Sequence, residues 1–196
     1  TRRALLALFL SLALAAPLIA QIRERDIRAE LGFLASDAMQ GRASGSNYER
    51  IAAEYIGSQF RQFGLEPGGD TDSAGNKGFV QHVVIEPRTQ GAEKRSTWNA
   101  IGILRGSDRR ATGEAIIISA HLDHIGVSEA LTGDKIFNGA DDDASGCVAV
   151  LEMARVFAAG RAGAAPRRRD GPPDARLRQL LLGSQIPRRF RSYFHP

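Results

Sequence analysis

The chain is 196 residues long and 43% apolar, enough for one globular domain with a core. Its single cysteine, Cys147, excludes a disulfide framework and a cysteine-based zinc site. The formal charge of +4 is a local property: residues 161–196 hold nine Arg against Asp170 and Asp174, a net +7, which leaves −3 for the first 160 residues and no nucleic-acid footprint on the main body.

Arg2 and Arg3 precede an apolar run from Ala4 to Ala16, and Ala13-Leu14-Ala15 and Ala20 offer small-residue cleavage positions. The run is short for a bilayer span and Pro17 interrupts it. Residues 1–20 therefore read as a signal peptide, with an exported (periplasmic or extracellular) body whose mature chain starts near Ala16 or Gln21. The other reading is an uncleaved anchor over residues 4–20, the one route by which the chain would meet a membrane.

Residues 22–37 predict a helix, with Ile27, Leu31 and Leu34 on one face. A polar loop, residues 41–45, leads to the clearest helix of the chain. Ser46 and Glu49 make a capping box; Tyr48, Ile51, Ala52, Tyr55, Ile56, Phe60 and Phe63 form the stripe; Gly64 suits the C-terminal cap. Residues 67–77 read as a surface loop. Three strands are predicted: 79–85, 98–104 and 115–120. The last is apolar without alternation, as a strand covered on both faces is. Residues 144–159 predict a helix with Cys147, Val150, Leu151, Ala154 and Phe157 at core spacing. From Arg161 onward the patterning stops, and neither strand nor capped helix is legible.

The chemistry is concentrated in residues 120–146, AHLDHIGVSEALTGDKIFNGADDDASG. His121 falls at the end of the third strand, where open α/β sheets bind ligands. Asp123 is placed to turn back and orient its imidazole, the usual partner of a metal-bound histidine. Asp141, Asp142 and Asp143 stand at a helix start, where the dipole favours ionised carboxylates by roughly 0.3–1 kcal/mol each. Imidazole and carboxylate converging from two chain positions are typical hydrolytic zinc ligands, and a carboxylate giving one oxygen to each metal bridges two ions about 3.5–4 Å apart. A lone H-x-D is weak, and a lone D-D-D is usually a solvated cap or a weak calcium site. In this order and context the pair points to a metal. His82 lies within a strand and reads as structural, His124 as a third ligand or loop surface, and Cys147 as a small core residue.

AHLDHIG followed by NGADDDASG resembles the co-catalytic zinc aminopeptidases of metallopeptidase family twenty-eight, the leucyl aminopeptidase and glutamate carboxypeptidase type. Leu34-Ala35-Ser36-Asp37 with Gly41-Arg42, and residues 99–104 with Gly106-Ser107, resemble that family too, so the likeness covers residues 22–160. It implies an α/β fold, a zinc-exopeptidase-like three-layer sandwich with a central mixed sheet, incomplete at the C-terminus. It also implies that His121 ligates one zinc, Asp142 bridges two and Asp123 orients His121, with a cis Asp142–Asp143 peptide. The implied reaction is attack of a metal-bound hydroxide on a peptide carbonyl, with a Glu as general base.

That Glu is missing, since no Glu follows Glu152. The family places a Glu-Glu pair ahead of Leu-Leu-Gly-Ser. The chain has Leu181-Leu182-Gly183-Ser184, with Leu177 and Arg178 where the pair would fall, and His195 stands too near the end for the family's final histidine. The resulting division is a leader over 1–20, the N-terminal part of a peptidase domain over 21–160, and an Arg/Pro-rich aberrant tail over 161–196 that reads like a shifted frame: nine Arg, no Lys, no periodicity. The expectation is a truncated exopeptidase for peptide substrates, inactive as it stands, with weak or partial zinc binding. The alternatives are a non-catalytic secreted binding module and a glutaminyl-cyclase-like member of the same fold.

Overall fold

The computed structural model describes residues 21–87, 91, 93–106, 115–162 and 177–183. The leader, residues 1–20, lies outside them, as do Ser184, His195 and most of the Arg-rich segment.

Helix α1 (Glu24–Leu34) starts on Glu24 and Asp26, acids that suit the positive end of the helix dipole. It buries Leu34 and packs Ile27 and Leu31 against the core. It is shorter than the predicted 22–37 because the chain turns off into a 3-10 helix at Asp37–Arg42. Gln40, Gly41 and Arg42 all take positive φ there. At Gly41 a Cβ would stand 2.4 Å from the Phe137 carbonyl oxygen, so the turn requires glycine.

Helix α2 (Asn47–Gln62) is capped by Ser46, whose hydroxyl accepts from the Glu49 amide at 3.2 Å. Glu49 departs from the capping box: its carboxylate accepts from the Gly45 amide at 2.6 Å and from the Thr97 hydroxyl at 2.5 Å. Ala52, Ile56 and Phe60 are fully buried, but Tyr48 and Ile51, predicted on the apolar stripe, are exposed.

Strand β1 (Glu66–Pro67) opens the predicted loop 67–77; the rest closes on Asp72, which accepts from the amides of Ala74 and Asn76. Strands β2 (Val80–Ile85), β3 (Arg95–Arg105) and β4 (Ile117–Ala120) match the three predicted strands within a few residues. A hairpin of β5 (Gly126–Val127) and β6 (Ile136–Phe137) follows, and helix α3 (Ser145–Ala162) buries Cys147, Val150, Leu151 and Ala154. Phe157 of α3, predicted in the core, is 48% exposed.

The Arg-rich segment contributes strand β7 (Leu177–Gly183), where the sequence predicts no element. It runs between β3 and β4, antiparallel to the first and parallel to the second. Its three consecutive leucines are too short a signal to stand out from the Arg-Pro surroundings. The sheet is therefore mixed, in the order β1–β3–β7–β4, with β2 on the same edge of β3 as β1.

Helices α2 and α3 cover one face: Gly102 leaves room for Phe60 and Leu65, and Ile118 and Ala120 pack into the core. The described residues supply no second helical layer. Ile116 and Ile117 are 56% and 43% exposed, so β4 is not covered on both faces as its continuous apolar run predicts.

Candidate functional site

Strand β4 ends at Ala120, and the next residue leaves the sheet at its carboxyl edge. There His121 meets the Ala140–Ala144 turn that precedes α3. The turn is irregular and contains a cis peptide between Asp142 and Asp143, as the family resemblance implies. His121 Nε2 lies 3.0 Å from Asp142 Oδ1. The second oxygen of Asp142 lies 3.5 Å from Nδ1 of His124. One carboxylate thus faces two imidazoles, one at each oxygen.

His121 Nδ1 sits 3.0 Å from the main-chain carbonyl of Asp123 and 3.5 Å from its carboxylate. The nearer partner is the carbonyl, which can only accept, so Nδ1 carries the proton. A neutral His121 then turns the bare lone pair of Nε2 toward a carboxylate oxygen. Two acceptors at 3.0 Å repel unless a cation, a proton or a metal, lies between them. Burial pulls the imidazole pKa down, but the Asp123 carbonyl and the charges of Asp143, Asp123 and Asp142 outweigh it and hold the group above its ordinary value.

Asp143 points the other way. Its Oδ2 accepts from the His121 amide at 3.2 Å and its Oδ1 from the Gly146 amide at 3.1 Å. It therefore caps α3 and anchors β4's end in one side chain. Cys147, pushed up to about 12 by burial and then by the charge of Asp143, donates to the His121 carbonyl at 3.2 Å; it is a core thiol with no nucleophilic character.

The pair His121 and Asp142 suits zinc in kind: an imidazole nitrogen and a carboxylate oxygen at a spacing near the ~3.3 Å edge of a tetrahedral sphere with ~2.0–2.1 Å bonds. It supplies two donors, and among the described residues no group of three or more His, Cys, Asp and Glu is placed to hold an ion. The positions that align with the family's Glu-Glu pair do not approach the site. β7 runs parallel to β4 with Leu182 beside Ala120, so Leu177 and Arg178 lie at the opposite end of the strand from His121. His82, predicted structural, bonds Ser96 through its ring and stacks on Trp98. Sequence reasoning left Arg42 and Asn138 without a role. Arg42 is 1% exposed and Asn138 donates to Ala35 and Asp37, so both tie the turn Asp37–Arg42 to the site loops. Gly41-Arg42, at the start of the predicted loop 41–45, was the trace of this in the sequence.

Among the described residues no helix is long and apolar enough to cross a membrane. No curated protein matches the chain. Residues 99–171 match the sequence pattern described as Peptidase family M28. A Zn-dependent exopeptidase from Parabacteroides distasonis has a similar fold, with a TM-score of 0.50 at 16% identity, over 84% of this chain and 47% of that one. A glutaminyl cyclase from Fimbriiglobus ruber gives 0.52 at 16% identity, over 81% of this chain and 44% of that one. The chain thus spans less than half the length of these structures. The matched stretch takes in most of β3, all of β4, His121 and Asp142, and the likeness to these two structures shows that the chain has the fold of the zinc exopeptidases.

Proposed function

We propose that the chain carries the first half of a zinc exopeptidase site for peptide substrates, with His121 and Asp142 as metal ligands and Asp123 orienting His121. The observation that carries this is His121 Nε2 standing 3.0 Å from Asp142 Oδ1. The chemistry that zinc supplies when bound is polarisation of a peptide carbonyl and a lowered pKa of its water. The chain's own residues orient and hold: the Asp123 carbonyl fixes the imidazole tautomer, Asp143 holds the His121 main chain, and α3 directs its positive end at the carboxylates. No glutamate among the described residues bonds either ligand, so none of the described glutamates is placed to take the proton from an attacking water. Kinship supports hydrolysis as the reaction class, and no turnover is expected from the chain as given. Residues 1–20 support export of this body.

The non-catalytic binding module is the second reading, favoured by that same lack of a base. A glutaminyl cyclase shares the fold alone, and the three consecutive carboxylates suit a metal bridge better than a single ion.

Zinc retained after equilibrium dialysis, with hydrolysis of an aminoacyl-nitroanilide panel, tests the proposal. The expected result is at most one weakly held zinc per chain, lost in both His121→Ala and Asp142→Ala, and no hydrolysis. Equal zinc in wild type and both variants removes the half-site. Hydrolysis that disappears in Asp142→Ala removes the claim of inactivity.

A further inference from the structure

His121 and Asp142 belong to separate loops, one leaving β4 and the other entering α3. Besides Asp143, the group that joins them is Arg42, 1% exposed and held at a positive φ of 47° in the turn after α1. Its Nε donates to the Leu122 carbonyl at 2.8 Å, between His121 and Asp123. Its Nη1 donates to the carbonyls of Leu34 and of Asn138, the latter at 2.8 Å, and its Nη2 to the Gly139 carbonyl at 2.9 Å. Gly139 immediately precedes the turn that carries Asp142. The Arg42 carbonyl also accepts from the His124 amide at 3.0 Å. One planar guanidinium therefore spans the β4 loop, the α3 loop and the end of α1, with four of its five N–H groups used.

All four acceptors are neutral carbonyls, an unusual use of a buried charge. Burial lowers the Arg42 pKa, and the opposing influences come from Cys147 and from Asp123, Asp142 and Asp143. A core prop would need no guanidinium there. The fork is required only if several main-chain oxygens must be held at set distances from one another.

We propose that Arg42 is a positioning residue that sets the separation of His121 and Asp142 by clamping their two loops. The inference rests on the reading of those residues as a metal half-site. Electrostatics alone makes the opposite prediction: a positive charge near a cation site repels the ion, so its removal would tighten binding. Positioning requires that removal weaken it.

The full chain is compared with Arg42→Met and with Arg42→Lys, which keeps the charge and loses the fork. Hydrogen exchange over residues 121–127 and 138–146 is expected to accelerate at least about tenfold in both variants, with α2 unchanged. Cobalt(II), followed by its visible bands, is expected to bind about 10–100-fold more weakly. Uniform acceleration across all segments makes Arg42 a core prop and overturns the proposal, as do unchanged loops or tighter cobalt binding. If wild type binds no cobalt while the two loops respond selectively, the half-site reading fails and the clamp stands. If cobalt binds wild type and both variants alike with loop exchange unchanged, the clamp fails and the half-site stands. A measurement on wild type alone guards against misfolded variants: four hydrogen bonds should arrest rotation of the guanidinium and resolve its Nη signals by nitrogen NMR. A single averaged signal overturns the clamp.

Discussion

A carboxylate with two separate tasks is costly to lose, and Asp143 is one. Its two oxygens serve the His121 amide and the Gly146 amide, linking the end of β4 to the first turn of α3. Asp143→Ala leaves both donors without that acceptor and is expected to cost about 1–2 kcal/mol in urea unfolding. Asp143→Asn keeps an oxygen for one of them and should lose no more than half as much. Equal losses in the two variants would show that charge, not hydrogen bonding, is what Asp143 contributes. Asp142, one residue earlier, points outward and is 68% exposed, so Asp142→Asn should leave stability unchanged in the same experiment. This division of labour was not legible in the run of three aspartates, because identical residue types carry no information about which way an irregular turn aims each one. The convergence of His121 with that run was legible, because a strand end and a helix start are both readable and both bring ligands to one edge of a sheet. Arg42 was not, since its partners are main-chain carbonyls, which every residue has.

Helix α1 is docked on α3 through a buried acidic pair, and this makes its attachment depend on pH. Glu30 is 8% exposed and its Oε2 has no partner among the described residues. Glu152 of α3 is 2% exposed and gives both oxygens to Arg155, at 2.8 and 2.6 Å. Arg155 in turn donates to the Gln21 carbonyl. Burial raises the Glu30 pKa from 4.5 to about 7; Glu152 and Asp26 push it the same way, and Arg155 opposes them. Tyr55 of α2 completes the surroundings, itself held above its ordinary value by burial and by Glu30. The folded pKa lies above the unfolded one. Below about 4.5 both states hold the proton and there is no cost. Between there and about 7 the unfolded chain releases its proton while the folded chain keeps it, so stability falls as pH rises. Above about 7 the full cost, about 3 kcal/mol, is present. Urea midpoints for wild type should therefore drop from pH 5 to pH 8, and Glu30→Gln should flatten that drop; an unaltered drop in the variant would place its origin elsewhere. α1 also shows where elements could be read and where not. Its apolar spacing marks the helix, but the sequence pattern of Ile27, Leu31 and Leu34 says nothing of Glu30, which lies on the buried side because α3 closes over it. Likewise α2 was legible from its cap and stripe, whereas β7 was hidden by its neighbours: strand pairing satisfies its backbone whatever the flanking arginines are.

At the scale of the whole molecule the decisive feature is β4, the terminal strand of the sheet among the described residues. Its inward residues, Ile118 and Ala120, meet the helices, while Ile117 turns to the other face with 43% of its surface exposed and Ile116 beside it with 56%. A short strand whose outer edge is unpaired among the described residues, with two exposed β-branched residues, is a template for pairing with another chain. The main body offers little net charge to keep copies apart, −3 over the first 160 residues, and the +7 of the last 36 is of the opposite sign. Attraction between one copy's tail and another's body is therefore expected to bring strand edges together at low salt, and screening removes that attraction beyond about 10 Å at 0.1 M. The two contributions separate by experiment. Sedimentation at tens of micromolar should show self-association that weakens as salt rises from about 0.02 to 0.3 M and does not vanish, because the apolar edge contact remains. Ile117→Lys places a charge on that edge and should abolish the salt-resistant part, with an unchanged urea midpoint since the side chain is half in water. Association that survives Ile117→Lys in 0.3 M salt would mean that the copies meet through another surface, and the exposed hairpin residues Ile125, Val127 and Leu131 would be the next to change.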